Sequence, residues 1–270
     1  MKFAVLLIDL IEMAGFLFHE TIFGPVKSRR FGISLGINLL PNDFKICSFD
    51  CVYCECGWTK DVVPKEYHYV DSKIVREQLE AVLIDFSKNK KPIDNITFAG
   101  NGEPTLHPEF AQIVSDTIEL RNKYFPNTKV TVLSNSTTLN DGRILNSLLK
   151  IDNKIMKIDA GSNEMVSLIN RSLNNITLEE IVLNLQKFHG NLTIQTLFLR
   201  GNVDGKIIDN TTDFEVNLWL DHLKKIKPTS VMIYPIERAT PASNIEKIGY
   251  EELNIVAEKV RNIGIQADVY

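Results

Sequence analysis

The sequence lacks the features of a membrane protein and of a chain held to nucleic acid by its overall charge. No segment approaches the roughly 18 uninterrupted apolar residues of a membrane span. Lys and Arg number 30 against 34 Asp and Glu, and the net charge is -4, so any RNA contact would have to be local. No repeat, low-complexity tract or Pro-, Gly- or Ser-rich linker divides the 270 residues, and we expect one core domain.

The first residues, MKFAVLLIDLIEMAGFLF, resemble a signal peptide because a lysine precedes an apolar run. Asp9 and Glu12 interrupt that run, and no small-residue cleavage site follows cleanly. We therefore expect residues 1–23 to form an N-terminal extension packed on the core, and we expect a cytoplasmic protein.

Short runs rich in β-branched residues alternate with longer amphipathic stretches along the rest of the chain. Their nearly continuous apolar character is typical of strands covered on both faces. The runs are 33–40, 95–100, 129–135, 154–160, 192–199 and 230–236. Right-handed crossovers would place these six strands in one parallel sheet. The predicted α/β fold is therefore an open, partial (β/α)6 TIM-like barrel or a doubly wound sheet, since six units are two short of a closed barrel.

Cysteine is absent from most of the chain. All four cysteines, Cys47, Cys51, Cys54 and Cys56, lie within ten consecutive positions after the first predicted strand. In a reducing compartment such a group indicates metal binding or catalysis rather than disulfides. A zinc site usually joins two separated ligand pairs, whereas three thiolates in one loop suit an iron-sulfur cubane and leave one of its four irons open. Both remain alternatives on spacing alone.

Two motifs at the ends of successive predicted strands identify a family resemblance. Cys47, Cys51 and Cys54 have the spacing C-x3-C-x2-C with Tyr53 before the last cysteine, and 100–105 reads GNGEPT. Together these resemble the cysteine motif and the Gly-Gly-Glu-Pro turn of the radical S-adenosylmethionine (SAM) superfamily. The resemblance covers the chain from Gly24 onward and implies a radical SAM core domain over residues 24–270, with the partial barrel fold.

The resemblance implies a [4Fe-4S] cluster held by Cys47, Cys51 and Cys54, with SAM bound at the open iron. Reductive cleavage of SAM would give a 5'-deoxyadenosyl radical that abstracts hydrogen from an unidentified substrate, and a flavodoxin- or ferredoxin-type protein would donate the electron. No side chain is assigned as catalytic, because the cofactors supply the chemistry. The residues predicted to bind SAM are Tyr53, Gly100, Gly102, Glu103, Pro104, Ser134, Asn135 and Asp159.

Particular contacts follow from these assignments. The two glycines would let the backbone approach SAM, and Glu103 would accept a hydrogen bond from the SAM ammonium. Lys157 and Asp159 share one face of a strand, where they either meet SAM or substrate or form an ion pair with each other. Gln195 is a buried polar candidate that needs partners.

Basic residues near the ends of the predicted strands suggest where an anionic group could bind. Arg200 and Arg238 follow the fifth and sixth predicted strands. The run 27–30, KSRR, precedes the first strand and is most simply a solvated surface.

Two further functions remain as alternatives. Residues 24–41 and the two motifs look like a branch of iron-sulfur oxidoreductases grouped with wyosine tRNA-base synthases, which makes tRNA base modification the second candidate. Those enzymes carry additional cysteines for a second cluster, whereas only Cys56 is left over here. From another class, the chain could be a non-catalytic iron-sulfur or zinc-binding module.

Overall fold

The computed structural model describes residues 15–59 and 63–270, in which two sheets are formed. The strands are β1 (Ile22–Ser28), β2 (Gly32–Ile37), β3 (Asn95–Phe98), β4 (Lys129–Ser134), β5 (Asn153–Lys157), β6 (Thr193–Leu197), β7 (Leu199–Val203), β8 (Lys206–Asp209), β9 (Ser230–Tyr234), β10 (Ile245–Lys247) and β11 (Gln266–Val269). The main sheet has the order β1-β2-β3-β4-β5-β6-β9-β11, and a small antiparallel sheet has the order β10-β7-β8.

The helices lie between the strands along the chain, and several of them begin at a side-chain cap. They are α1 (Ser72–Lys88), α2 (Phe110–Tyr124), α3 (Gly142–Leu149), α4 (Asn163–Ile169), α5 (Leu178–Gln186), α6 (Asp213–Ile226) and α7 (Tyr250–Asn262). Thr177 and Glu180 form a complete capping box at the start of α5. At the start of α6, Thr212 accepts from the Glu215 amide, but the Glu215 carboxylate instead accepts from the amides of Gly161 and Ser162 before α4. No helix in the described part of the chain combines the length and apolarity that spanning a membrane requires.

All six predicted strands are present, as β2 to β6 and β9. From β2 to β11 the neighbours are parallel and follow chain order without the reversal of a doubly wound sheet. Within the described residues, β1 pairs only with β2 and β11 only with β9. The fold is therefore the open partial barrel of the first expectation. The run 192–199 proved to contain β6 and the start of β7, and β1, β8, β10 and β11 were not predicted.

The turn between β1 and β2 reaches across the open side of the sheet. Arg29 lies 3.3 Å from the carboxylate of Glu237, just beyond β9. The guanidinium carbon of Arg30 lies 5.7 Å from the ring centroid of Tyr234 at the end of β9. The first strands and the last parallel strands thus face each other across one enclosed space.

The predicted N-terminal extension falls largely outside the described residues, since 1–14 are not among them. Ile22 and Phe23, at the end of the proposed extension, pair with Ile37 and Gly36 of β2. Phe18 is tied to the site by reciprocal hydrogen bonds between its backbone and the side chain of Asn101, at 2.8 and 2.9 Å. A division of the chain at residue 23 stays a prediction.

Candidate active site

The loop after β2 brings the four thiols to one small cavity of about 140 Å³. The amide of Cys54 donates to the carbonyl of Cys51 at 3.1 Å, and that of Gly57 donates to Cys54 at 2.9 Å, so two successive turns fold the loop. Cys47, Cys51, Cys54 and Cys56 all line the cavity as free thiols. In the described part of the chain, no three Cys, His, Asp or Glu side chains are grouped as around a single metal ion.

Side-chain amides from two other segments, one after a strand and one at the end of a helix, are directed at the sulfur atoms. The side-chain amide of Asn135, after β4, lies 3.4 Å from the Cys47 sulfur and donates to Ser48 at 2.8 Å. The amide of Asn170, after α4, lies 3.4 Å from the Cys51 sulfur. Donors of this kind stabilise negative charge on sulfur. Asn135 therefore positions the cysteine loop, and Asn170 is a residue that the sequence did not reveal, because its role depends on a contact between distant segments.

Lys45 is a further site residue that sequence reasoning missed. Its side chain is buried, with 2% of the residue exposed, and its ammonium donates to the carbonyl of Gly57 at 2.9 Å. Burial alone would lower the pKa of Lys45, but the neighbouring thiolates, led by Cys54, outweigh burial and raise it. Burial raises the pKa of the Cys47 thiol to about 12, and the Lys45 charge opposes that rise. Lys45 thus supplies a positive charge where thiolate charge would accumulate.

The GNGEPT turn is joined to the cysteine loop by backbone pairing. The amide of Ile46 donates to Asn101, and the amide of Glu103 donates to the carbonyl of Ile46, both at 3.0 Å. Pro104 then begins a short 3-10 turn, Pro104–Leu106. The two motifs that lie far apart in sequence consequently form one unit.

The backbone pairing between the cysteine loop and the GNGEPT turn requires a glycine at position 102. Its φ is +130°, in a region that favours glycine, and an added Cβ would overlap the carbonyl oxygen of Ile46. At Gly100 an added Cβ would overlap the side chain of Asn38. The structure thus gives both glycines a packing role within the protein, beside the approach to SAM that the sequence predicted.

Replacing Gly102 with alanine is expected to lower the free energy of unfolding by about 2 kcal/mol or more, because the methyl group forces Ile46 away. Thermal unfolding followed by circular dichroism would measure the change. Gly142→Ala is the matched control, since its added Cβ meets nothing within 4 Å. Equal unfolding temperatures for the two variants would contradict the proposed overlap.

Glu103 presents a buried carboxylate to the same cavity. One oxygen accepts from the Thr105 amide at 3.1 Å, the Thr105 hydroxyl at 2.5 Å and the Ser134 hydroxyl at 3.0 Å. The other oxygen accepts from the Asn135 amide at 2.6 Å. Burial raises the pKa of Glu103, while these donors oppose the rise. No cation is paired with it among the described residues, so its charge is held by neutral donors alone.

Tyr53, Lys157 and Asp159 form a hydrogen-bonded group beside the cavity, and two of them, Tyr53 and Lys157, line it. The Lys157 ammonium donates to the Tyr53 hydroxyl at 2.5 Å, and that hydroxyl donates to Asp159. Asp159 also accepts from the Asn170 side chain at 2.7 Å and the Leu197 amide at 3.1 Å. The Lys157 ammonium lies 3.7 Å from the Asp159 carboxylate, so the two residues form the ion pair that was one of the two alternatives.

Most residues predicted to contact SAM do line the cavity. They are Tyr53, Gly100, Gly102, Glu103, Ser134 and Asn135. Pro104 and Asp159 lie behind the wall formed by their neighbours and are not part of it. Arg200 does not reach the site either, because it pairs with Glu252 and lies 3.6 Å from Asp209. The individual SAM contacts remain predictions.

A family model described as the radical SAM superfamily matches residues 42–210. This segment contains the cysteine loop, the GNGEPT turn and the strand ends that surround the cavity. The chain belongs to the radical SAM superfamily. Members of this superfamily are enzymes that use a [4Fe-4S] cluster and SAM, so the predicted enzyme class, fold and cofactors are confirmed at that level, with the substrate unidentified.

Named relatives extend the similarity over most of the chain. The UPF0026 protein slr1464 of Synechocystis is 32% identical over 225 residues, which cover 82% of this chain and 77% of that protein. A protein named GTPase Obg from Brachyspira hyodysenteriae is 30% identical over 257 residues, covering 93% of this chain but only 35% of that protein. The radical SAM methyltransferase of Sphaerobacter thermophilus has a TM-score of 0.64 at 16% identity, over 88% of this chain and 65% of its own, and shows the shared fold.

Proposed function

We propose that Cys47, Cys51 and Cys54 hold the [4Fe-4S] cluster of this enzyme and that SAM binds at the remaining iron. The observation that carries the proposal is a single cavity lined by these thiols and by a buried carboxylate, Glu103, that has no cation paired with it in the described part of the chain. Such a cavity suits a group that brings iron to the thiolates and an ammonium to the carboxylate.

The residues present fit the cluster and SAM on their chemistry. Thiolates are the ligands that iron-sulfur clusters use, and the amides of Asn135 and Asn170 supply donors to the sulfur atoms of Cys47 and Cys51. The fourth thiol, Cys56, instead points to the carbonyl of Gly100, with sulfur and oxygen 3.6 Å apart. We therefore leave Cys56 out of the ligand set.

Cys47, Cys51 and Cys54 would hold the cluster, which together with SAM would supply the reductive cleavage and the hydrogen abstraction of the reaction. The chain's own residues bind the cofactors and orient them. Glu103 would accept a hydrogen bond from the SAM ammonium, and Asn135 links the cysteine loop to the end of β4. Phe49 and Leu133 contribute apolar surface to the cavity wall and help to exclude water.

Radical SAM enzymes need an external reductant. We propose a flavodoxin- or ferredoxin-type donor and a cytoplasmic location, with residues 24–270 as the catalytic domain. Modification of a tRNA base stays a prediction. Its support is the resemblance to the branch grouped with wyosine tRNA-base synthases and the KSRR run at 27–30, and tRNA binding that is undetectable or insensitive to salt would remove it.

Anaerobic reconstitution tests the proposed function directly. The reconstituted protein is expected to be brown, to contain about four iron per chain, and to release 5'-deoxyadenosine when SAM and dithionite are added. Omitting dithionite is the control. Bound zinc, or a bound iron centre whose spectrum does not respond to SAM, would instead support the non-catalytic metal-binding module.

A further inference from the structure

A larger cavity of about 600 Å³ adjoins the thiol cavity. It lies between the β1–β2 turn and the carboxyl end of β9. The two cavities share the wall residues Tyr53, Cys54, Cys56, Leu133, Lys157 and Gln195. Its volume is in the range of small-molecule sites. Because Cys54 and Cys56 line both cavities, a ligand in the larger cavity would lie beside these thiols.

The walls of the larger cavity carry more positive than negative charge, although the chain as a whole is acidic. The charged wall residues are Lys27, Arg29, Arg30, Lys157 and Arg238, against Glu55 and Glu237. Glu237 is paired with Arg29, and Glu55 with Arg238. Lys157 is already held by Tyr53 and Asp159. Lys27 and Arg30 form no ion pair with any carboxylate in the described part of the chain.

Arg30 is the cation that the fold directs into this space. Its guanidinium carbon lies 5.3 Å from the ring centroid of Phe31 and 5.7 Å from that of Tyr234. Stacking on these rings restricts the orientation of the guanidinium. The Nη1 atom is buried and has no hydrogen-bond partner among the described residues. A buried donor without an acceptor is costly, and rotation of the guanidinium toward a ligand oxygen in the cavity would remove that cost.

Gln195 gives a second polar contact on the shared wall. The residue is 6% exposed, and its side-chain amide makes no hydrogen bond to the residues that the structure describes. The hydrogen-bond partners expected for this buried amide are thus not found among the described residues. Gln195 lines both cavities, so a ligand that extends from Arg30 toward the thiols has this amide available for a hydrogen bond.

We propose that the larger cavity binds a small substrate that carries an oxyanion, either a carboxylate or a phosphate, and that Arg30 is its anchor. The planar fork of the guanidinium matches both groups through paired hydrogen bonds. This assignment rests on the proposed function, since it places the hydrogen-bearing part of the substrate at the wall shared with the cluster site. Lys27 adds a second positive charge to the same cavity.

The test uses full-length reconstituted enzyme with inorganic phosphate and malonate as probes, and measures binding by calorimetry. Arg30→Gln is expected to weaken probe binding about tenfold or more, the loss of a charge-assisted pair. Arg143→Gln is the matched control, because Arg143 is exposed, pairs with Asp141 and lines neither cavity. Binding of phosphate alone indicates a phosphate ester, and binding of malonate alone indicates a carboxylate.

Absence of binding by either probe to the unaltered enzyme would overturn the proposal, as would undiminished binding in Arg30→Gln. Arg30→Lys, which keeps the charge without the fork, is measured alongside and supplies the answer if Arg30→Gln does not fold. SAM affinity is measured in the same preparations. An equal loss of SAM binding would assign Arg30 to the SAM carboxylate and also overturn the proposal. Missing iron or missing 5'-deoxyadenosine in the unaltered enzyme would overturn the proposed function instead.

Discussion

Replacing Cys47, Cys51 or Cys54 with alanine is expected to reduce the iron content from about four per chain to near zero and to abolish 5'-deoxyadenosine release. Each substitution leaves only two of the three proposed thiolate ligands, and a cubane with two protein ligands is lost in purification. Iron analysis, the visible spectrum and product analysis after addition of SAM and dithionite measure the effect.

Cys56→Ala is the matched control for these variants. It removes a thiol from the same cavity wall, yet its sulfur is directed to the Gly100 carbonyl and not assigned to the cluster. It is expected to keep about four iron per chain. Loss of the cluster in Cys56→Ala together with its retention in one of the other three variants would show that the ligand set is wrongly assigned.

The sequence was sufficient for features that depend on local pattern. The six predicted strands are nearly continuous apolar runs, because a strand that is buried on both faces needs apolar residues at most of its positions. The thiol loop could be located because all four cysteines lie within ten positions, 47–56. The edge strand β1 was missed for the opposite reason: four of its seven residues are exposed, so its sequence carries no apolar signature.

Features that depend on contacts between distant segments were beyond the sequence. Lys45 and Asn170 reach the thiols only because the chain folds back on itself. The KSRR run at 27–30 suggested a solvated surface, and it has this character only in part. Lys27 and Arg29 are exposed, whereas Arg30 lies against Tyr234 at the end of β9 on the other side of the sheet. The sequence of a basic run does not show which of its residues will pack against an aromatic ring from a distant part of the chain.

Replacing Glu103 with glutamine is expected to weaken SAM binding about 10- to 100-fold, because a hydrogen bond to a charged group contributes ~1.5–3 kcal/mol. The iron content is expected to stay near four per chain, since Glu103 is not a proposed cluster ligand. Equilibrium binding of SAM to the reconstituted protein measures the loss. Glu119→Gln is the control, as Glu119 is exposed and pairs with Arg76 on the surface.

The pH dependence of SAM affinity separates a charge effect of Glu103 from a structural one. Burial raises the pKa of Glu103 above its usual 4.5, and only the ionised carboxylate attracts the SAM ammonium. A bound ammonium would lower that pKa again. Affinity is therefore expected to fall as the pH falls from the raised pKa of the free enzyme to the lower pKa of the SAM complex. Glu103→Gln should lose this dependence, whereas Glu119→Gln should keep it. An unchanged profile in Glu103→Gln would mean that the SAM ammonium binds elsewhere in the cavity.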